Sequence, residues 1–340
     1  MNIAGTLKGR YKFITVSPDG RESYPLGDKW HDNLILNSGL DMLFNGAPPA
    51  NAPTDLGFLG VMAYCRLSEG ETGSVSPTDT LLANQNTSTG SYVKTNPSGT
   101  DTVNQVTYTT DSTYIKATFQ RTFVFPPQNA AKNWNGIGVS NSAAALDPLF
   151  SKLITVGTVT VAGDAELRVV YQLTVNVPKD HISVTISSGG FTGNGHLMAV
   201  GTYANLLGGI NANGTQSGGT SGSVAAFLRG REAPTGYLLS NTPLPSTNTN
   251  IVPSFCGASL ADSIHTSSTA GSYTTGQKHR DSTVTWAAGR PTSSVTNVRM
   301  LLFGPAGAAT HGLAWHLQNN QSKGATNSLS ATVRVAWDRV

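Results

Sequence analysis

From Leu167 to Val177 an apolar side chain falls on every second residue. Leu167, Val169, Tyr171, Leu173, Val175 and Val177 alternate with Arg168, Val170, Gln172, Thr174 and Asn176. A period of two is the mark of a strand with one buried face. Ile115, Ala117, Phe119, Phe123 and Phe125 form a second stripe, broken by Arg121. Tyr11, Phe13 and Thr15 lead into Ser17-Pro18-Asp19-Gly20, whose residue types suit a hairpin turn. Ile154, Val156, Val159 and Val161 change face around Gly157, which predicts a bulge. Ala331, Val333, Val335 and Trp337 predict a closing strand. Helical periodicity is sparse. Ser38-Gly39-Leu40-Asp41 reads as an N-cap with an acid at N3, Leu36, Leu40, Leu43 and Phe44 share one face, and Gly46 ends the helix. A second short helix is expected near 143–153. The pattern predicts a mainly β protein of antiparallel sandwich or barrel type with one or two short helices.

The pattern is also written twice. Met62-Ala63-Tyr64-Cys65-Arg66 answers Ala225-Ala226-Phe227-Leu228-Arg229 at an offset of 163. Tyr108-Thr109-Thr110 answers Tyr273-Thr274-Thr275 at 165, and Leu167-Arg168-Val169-Val170-Tyr171 answers Val333-Arg334-Val335-Ala336-Trp337 at 166. Three matches in one order at nearly one offset predict two tandem, duplicated β-domains, 1–180 and 181–340, joined near 178–190. Each is long enough for its own hydrophobic core. Residues 87–102 and 208–223 are runs of Gly, Ser, Thr and Asn. Loops of that length are uncommon unless they are functional or ordered by a partner.

Charged residues make up 12% of the 340, about half the usual ~25%. With 38% hydrophobic residues and a net charge of +3, the composition predicts folded structure rather than disorder. A weakly charged surface protects poorly against self-association, so an oligomer or assembly is expected. The pI of about 8.8 would point to nucleic acid only if basic residues clustered. The densest group, Lys8, Arg10 and Lys12, reads as the solvated face of a strand, and no nucleic-acid partner is expected. Cys65 and Cys256, the two cysteines, both sit in apolar surroundings and read as buried thiols, not a disulfide framework. No secretion signal opens the chain and no run approaches 18 apolar residues, so membrane insertion is not expected.

Motifs that would carry chemistry are incomplete. The segment Gly271 to Gly276 has P-loop spacing but places Gln277 where the phosphate-binding Lys belongs. His279-Arg280-Asp281 imitates a kinase catalytic triplet, yet Trp286 stands where its Asn is needed. His311 and His316 lack the spacing of a zinc pair, and no Ser occupies a Gly-x-Ser-x-Gly elbow. The carboxylate pairs Glu69/Glu71 and Asp164/Glu166 read as solvated turns rather than glycosidase pairs. Tyr92, Tyr203 and Tyr237, read as lying in Gly/Asn-rich loops, could stack on sugars, although core and interface use is commoner. No catalytic residue, cofactor site or metal site is expected.

The first half resembles the N-terminal region of tailed-bacteriophage tail and fibre-type virion proteins. Asn33-Leu34-Ile35-Leu36-Asn37-Ser38-Gly39-Leu40-Asp41 is similar to the opening of that family. Arg66-Leu67-Ser68-Glu69-Gly70 followed by Pro77-Thr78-Asp79-Thr80-Leu81 resembles its next segment, with Ser68 in place of the usual first Gly. Asn135-Gly136-Ile137-Gly138-Val139, Leu149-Phe150-Ser151-Lys152 and the strand from Leu167 to Val175 complete the pattern, which covers 10–178. The resemblance implies a non-enzymatic structural component of a phage virion, in the tail, baseplate or fibre, made in the cytoplasm of the bacterial host. Its partners would be other copies of itself and neighbouring virion proteins. The alternative is a receptor-binding protein that recognises a host surface glycan through loops of the second domain.

Overall fold

The structure is a computed structural model and describes residues 2–45, 57–82, 93–95, 104–111, 113–142, 144, 146–178, 181–185, 192–200, 235–240, 251–252, 267–289, 295–304 and 312–340. It is mainly β. The first half comprises strands β1 (Asn2–Val16), β2 (Glu22–Ser23) and β3 (His31–Ile35), helix α1 (Asn37–Asn45) and a 3₁₀ turn at Gly57–Met62. Strands β4 (Tyr64–Ser68), β5 (Val93–Thr95), β6 (Asn104–Thr110), β7 (Tyr114–Phe125), β8 (Lys132–Ser140), β9 (Ser151–Val161) and β10 (Glu166–Pro178) follow. The second half adds β11 (His181–Thr185), β12 (Thr192–Val200), β13 (Thr235–Ser240), β14 (Ile251–Val252) and β15 (Ser267–Ala270). It ends with β16 (His279–Trp286), β17 (Val295–Gly304), β18 (Gly312–Lys323) and β19 (Leu329–Arg339). No helix among the described residues is long and apolar enough to cross a membrane.

β1 organises the larger sheet. One of its edges pairs antiparallel with β10 from Thr6↔Asn176 to Val16↔Glu166. The other edge takes three strands in succession: β19 over Asn2–Leu7, β3 over Gly9–Tyr11 and β2 over Thr15–Val16. β10 continues outward to β7 and β6, while β3 leads through β9, β8 and β4 to β5. The turn predicted at Ser17 to Gly20 closes the β1–β2 hairpin, with the Gly20 N–H donating to the Ser17 carbonyl at 2.8 Å and Gly20 at a φ of 82°. Alternation sets the buried face: Leu7, Tyr11 and Phe13 of β1 meet Leu167, Val169, Tyr171, Leu173 and Val175 of β10 and Phe119, Phe123 and Phe125 of β7 in one apolar core. Arg121 does not interrupt the stripe. It points inward, is 1% exposed, and donates to the Met62 carbonyl at 2.8 Å.

β15, β16 and β19 extend this same sheet, with β19 running parallel to β1 from Asn2↔Arg334 to Leu7↔Arg339. Val284, Trp286, Leu329, Ala331, Val333, Val335 and Trp337 therefore join the core of the first half. The larger sheet is shared by both halves of the chain and does not stop at residue 180. A separate sheet holds β11-β12-β18-β17-β13, with β14 beside β12.

Strand registers recur along the chain. The pair Leu34↔Lys152 of β3 and β9 stands again, 163 residues on in both members, as Leu197↔Trp315 of β12 and β18. At the same offset Ile137↔Leu153 of β8 and β9 returns as Met300↔His316 of β17 and β18. Both of these hairpins shift register at corresponding places, between Trp134 and Gly136 and between Val298 and Met300. The order β6-β7-β10 recurs as β15-β16-β19, with Phe125↔Leu167 and Trp286↔Leu329 as matching end pairs.

The bulge expected near Gly157 is present: between Trp134↔Val159 and Gly136↔Ile154 the extra residues lie on β9, and Val156 projects into solvent. Helix α1 buries Leu40, Leu43 and Phe44 as its spacing predicts, beside buried Leu36. The expected cap is not made. Helical hydrogen bonding already starts at Leu36, whose carbonyl accepts from the Leu40 N–H, and the Ser38 hydroxyl donates to the Leu149 carbonyl at 2.8 Å. Asp41 turns to the C-terminal strands instead. Among the described residues of 143–153 there is no second α-helix, because a turn at 146–147 leads into β9 at Ser151. Tyr237 lies on strand β13, opposite Leu302, and not in a loop.

α1 docks tightly through its glycine. A Cβ on Gly39 would stand 2.0 Å from the Phe150 carbonyl oxygen, a backbone atom that cannot swing away. Gly39→Ala is expected to destabilise the fold by about 1–3 kcal/mol, the usual range for overpacking. An unchanged urea midpoint for this variant would show that the helix does not need that approach.

Candidate functional site

The segments at 33–41, 66–81, 135–139 and 149–152 are far apart in sequence and meet in one place. Arg66, on β4, reaches across β8 to the segment that follows it. Its guanidinium donates to the carbonyls of Asp147 at 2.6 Å, Ser142 at 3.0 Å and Ala144, and approaches the Ser140 hydroxyl at 3.4 Å. Burial pulls its pKa down to about 10, which leaves it charged at neutral pH. The Asn135 side chain holds the Glu71 backbone as a neighbouring strand would, accepting from its N–H at 2.9 Å and donating to its carbonyl at 2.7 Å. Next to it the Ser68 hydroxyl donates to Glu71 Oε1 at 2.8 Å, so this serine orients a carboxylate.

Lys152, on β9, sits at the centre. Its Nζ lies 3.4 Å from Glu71 Oε2 and 3.2 Å from Asp79 Oδ2, and donates to the Leu81 carbonyl at 3.1 Å. The Asn37 N–H donates to the Pro77 carbonyl and the Leu149 N–H to the Thr80 carbonyl, both at 2.8 Å. Strand, helix start and the 66–82 segment are thus clasped together by charge-assisted and backbone hydrogen bonds.

A hydroxyl, a carboxylate and an ammonium in a row could serve nucleophilic chemistry. Here the exposures decide against it: Ser68 is 0%, Glu71 5% and Lys152 4% exposed, so a substrate has no approach to them. The reading of Glu69/Glu71 as a solvated turn is corrected for Glu71, which is buried against Lys152. Glu69 stays half-buried at the surface, accepting from the Asn133 N–H at 3.0 Å. Asp164 is exposed in the β9–β10 turn, and Glu166 pairs with Arg168 at 2.7 Å.

Cys65 lies beneath this clasp, fully buried, and desolvation pushes its thiol far above the ordinary range. Because the thiolate is the nucleophile, the Cys65 peptide is expected to escape alkylation by iodoacetamide at pH 8 in the native protein and to react fully in denaturant. Rapid native labelling, read by peptide mass spectrometry, would contradict this packing. Cys256 lies outside the described residues.

The second cluster joins the two halves. The Gly271 to Gly276 loop does receive an anion, and that anion is the protein's own Asp41: its Oδ1 accepts from the Gly276 N–H at 2.8 Å and from the Tyr273 hydroxyl. Desolvation, then the hydrogen bond to Asp41, raises the Tyr273 pKa. The Tyr273 ring stacks on Phe44 at 4.9 Å. The kinase-like triplet is structural as well, since Arg280 Nε donates to the Gly271 carbonyl at 2.6 Å and Asp281 forms a bidentate pair with Arg334 at 2.8 and 2.9 Å. At the chain's last strand Arg339 donates to the Ile35 carbonyl at 2.6 Å and to Asn37 Oδ1 at 2.5 Å.

Among the described residues no three His, Cys, Asp or Glu side chains converge as a metal site would require. His316 stands opposite His196 and Met300 in the strand register, while His311, Tyr92, Tyr203, the 208–223 segment and most of 87–102 lie outside the described residues. Sequence reasoning missed Arg66, Asp79 and Lys152 as clasp residues and Arg121 as a buried donor to the Met62 carbonyl. The available signal was a charge embedded in an apolar strand, as in Cys65-Arg66-Leu67, in a chain with few charges. Comparison with known proteins gives no match: no family model, curated protein or solved structure is significantly similar to the chain.

Proposed function

We propose that the chain is a non-enzymatic structural component of a tailed-phage virion, in the tail, baseplate or fibre, assembled from two copies of one antiparallel β unit. The observation that carries this reading is the clasp. All the segments bearing the resemblance except the Leu167–Val175 strand contribute to it, and its polar side chains are directed at backbone groups and at one another within the first half. Residues that hold loops in place are what a building block needs, whereas a catalyst needs polar groups facing a cleft. The recurring registers support the duplication, and the low charge density supports burial against neighbours.

Two measurements test the reading. Mass spectrometry of phage particles purified from the culture that makes this chain is expected to find it in multiple copies per particle. Incubation of the purified protein with nucleotides, peptides and capsular or lipopolysaccharide glycans is expected to release no product. Absence from the particles would overturn the structural assignment. Turnover lost on Glu69→Gln, Glu71→Gln, Asp164→Asn or Glu166→Gln would replace it with a depolymerase, and glycan binding without cleavage would favour a receptor-binding role.

A further inference from the structure

We propose that the β15-β16-β19 unit docks on β1 and α1 of a second copy in the assembled protein, making the seam between the two halves the contact through which chains join. This inference rests on the assembly reading above and names the surface it uses.

The seam has the form of a plug and its receptor. On the receptor side, Asn2–Gly5 finds its strand partner in β19, because pairing with β10 begins only at Thr6. On the plug side, β19 is the counterpart of β10 in the repeated strand order, yet it meets its neighbour in the other half of the chain. The fit is specific. Gly5 lies against the Trp337 ring, where a Cβ would come within 2.1 Å of it, and Phe58 meets the same ring edge-on at 5.3 Å. Asp41 grips the Gly276 N–H, and the Val340 N–H donates to the Leu7 carbonyl at 3.0 Å.

None of these contacts depends on which chain supplies the plug. Transfer to a second copy conserves all of them, which is why exchange of an identical element is a low-cost route to oligomers. Docking in one chain is favoured only by effective concentration, an advantage that the crowding of subunits on a growing particle removes. Plug and receptor are different surfaces, so reciprocal exchange closes a two-fold pair, whereas one-way exchange runs head-to-tail and generates a ring or an open stack.

Ala4 and Ala336 are register partners on the outer face of the seam, Ala4 exposed and Ala336 half-buried. Two full-length variants, Ala4→Cys and Ala336→Cys, would each be purified, mixed at assembly concentration and mildly oxidised, with the unsubstituted chain as background. A covalent dimer that requires both variants, seen on a non-reducing gel, is the expected result. The double variant should then give multimers in place of a monomeric intrachain disulfide. An intrachain disulfide in the double variant with no dimer from the mixture would overturn the proposal, whether or not the protein is oligomeric. A trans-linked chain absent from phage particles would keep this inference and remove the virion reading.

Discussion

Arg66→Met is expected to lower the unfolding free energy by about 3–5 kcal/mol, the range seen when one member of a buried charged network is deleted. The methionine fills much of the space but donates nothing. Three carbonyls, those of Ser142, Ala144 and Asp147, lose a charged donor at once. An unsatisfied buried acceptor costs about 1–3 kcal/mol, and partial access to water lowers the sum. The loss should be local before it is global. Hydrogen exchange at amides between Ser140 and Phe150 is expected to accelerate first, because Arg66 is the tether that holds that segment to β4. A urea midpoint within experimental error of the unsubstituted protein would rule out the clasp as a stabilising element. So would unchanged exchange in this segment.

Trp337→Ala should be comparably damaging, about 3–5 kcal/mol for removal of a buried tryptophan. Trp337 is 1% exposed and lies between Gly5 of β1 and Phe58 of the 3₁₀ turn. Its removal opens a cavity at the junction of β1 and β19, so protection should fall across β15, β16 and β19 more than across β7 and β10. Gly5 supplies the matching test. Gly5→Ala alone forces the ring to move, whereas in the Trp337→Ala background the added methyl enters the vacated space. The two substitutions should therefore couple, with the pair less harmful than the sum of the singles. Additive effects would mean that Gly5 and Trp337 do not share one packing site.

The buried faces were legible because a period of two or of 3.6 is a property of neighbouring residues. Leu167 to Val177, the α1 stripe and the Ser17 to Gly20 turn are read locally and occur as predicted. The alternation from Ala331 to Trp337 likewise told which side chains turn inward, but nothing in it named β1 as the neighbour or parallel as the direction. Residue likeness set Leu167 against Val333, whereas the matching end pairs set it against Leu329. A shift of an even number of residues leaves the same face buried, so the pattern of apolar residues is blind to it. Ser38 and Asp41 fit a local cap by type, yet tertiary partners claimed both side chains. Glu71 looked solvated because its neighbours are Gly70, Thr72 and Gly73. The cation that permits its burial, Lys152, comes from a strand that no local rule connects to it.

The place of β1 between early and late strands also sets a clock on synthesis. At roughly 5–20 residues per second, the stretch from Pro178 to Arg339 takes on the order of ten to thirty seconds to translate. β10 can close its edge of β1 at the start of that interval, while the partner of Asn2–Gly5 does not yet exist. Each nascent chain therefore holds out an unmatched strand end for much longer than hairpins take to form. Chains made side by side on one message pass through that interval together, so the order of translation can influence which copy a strand finally joins.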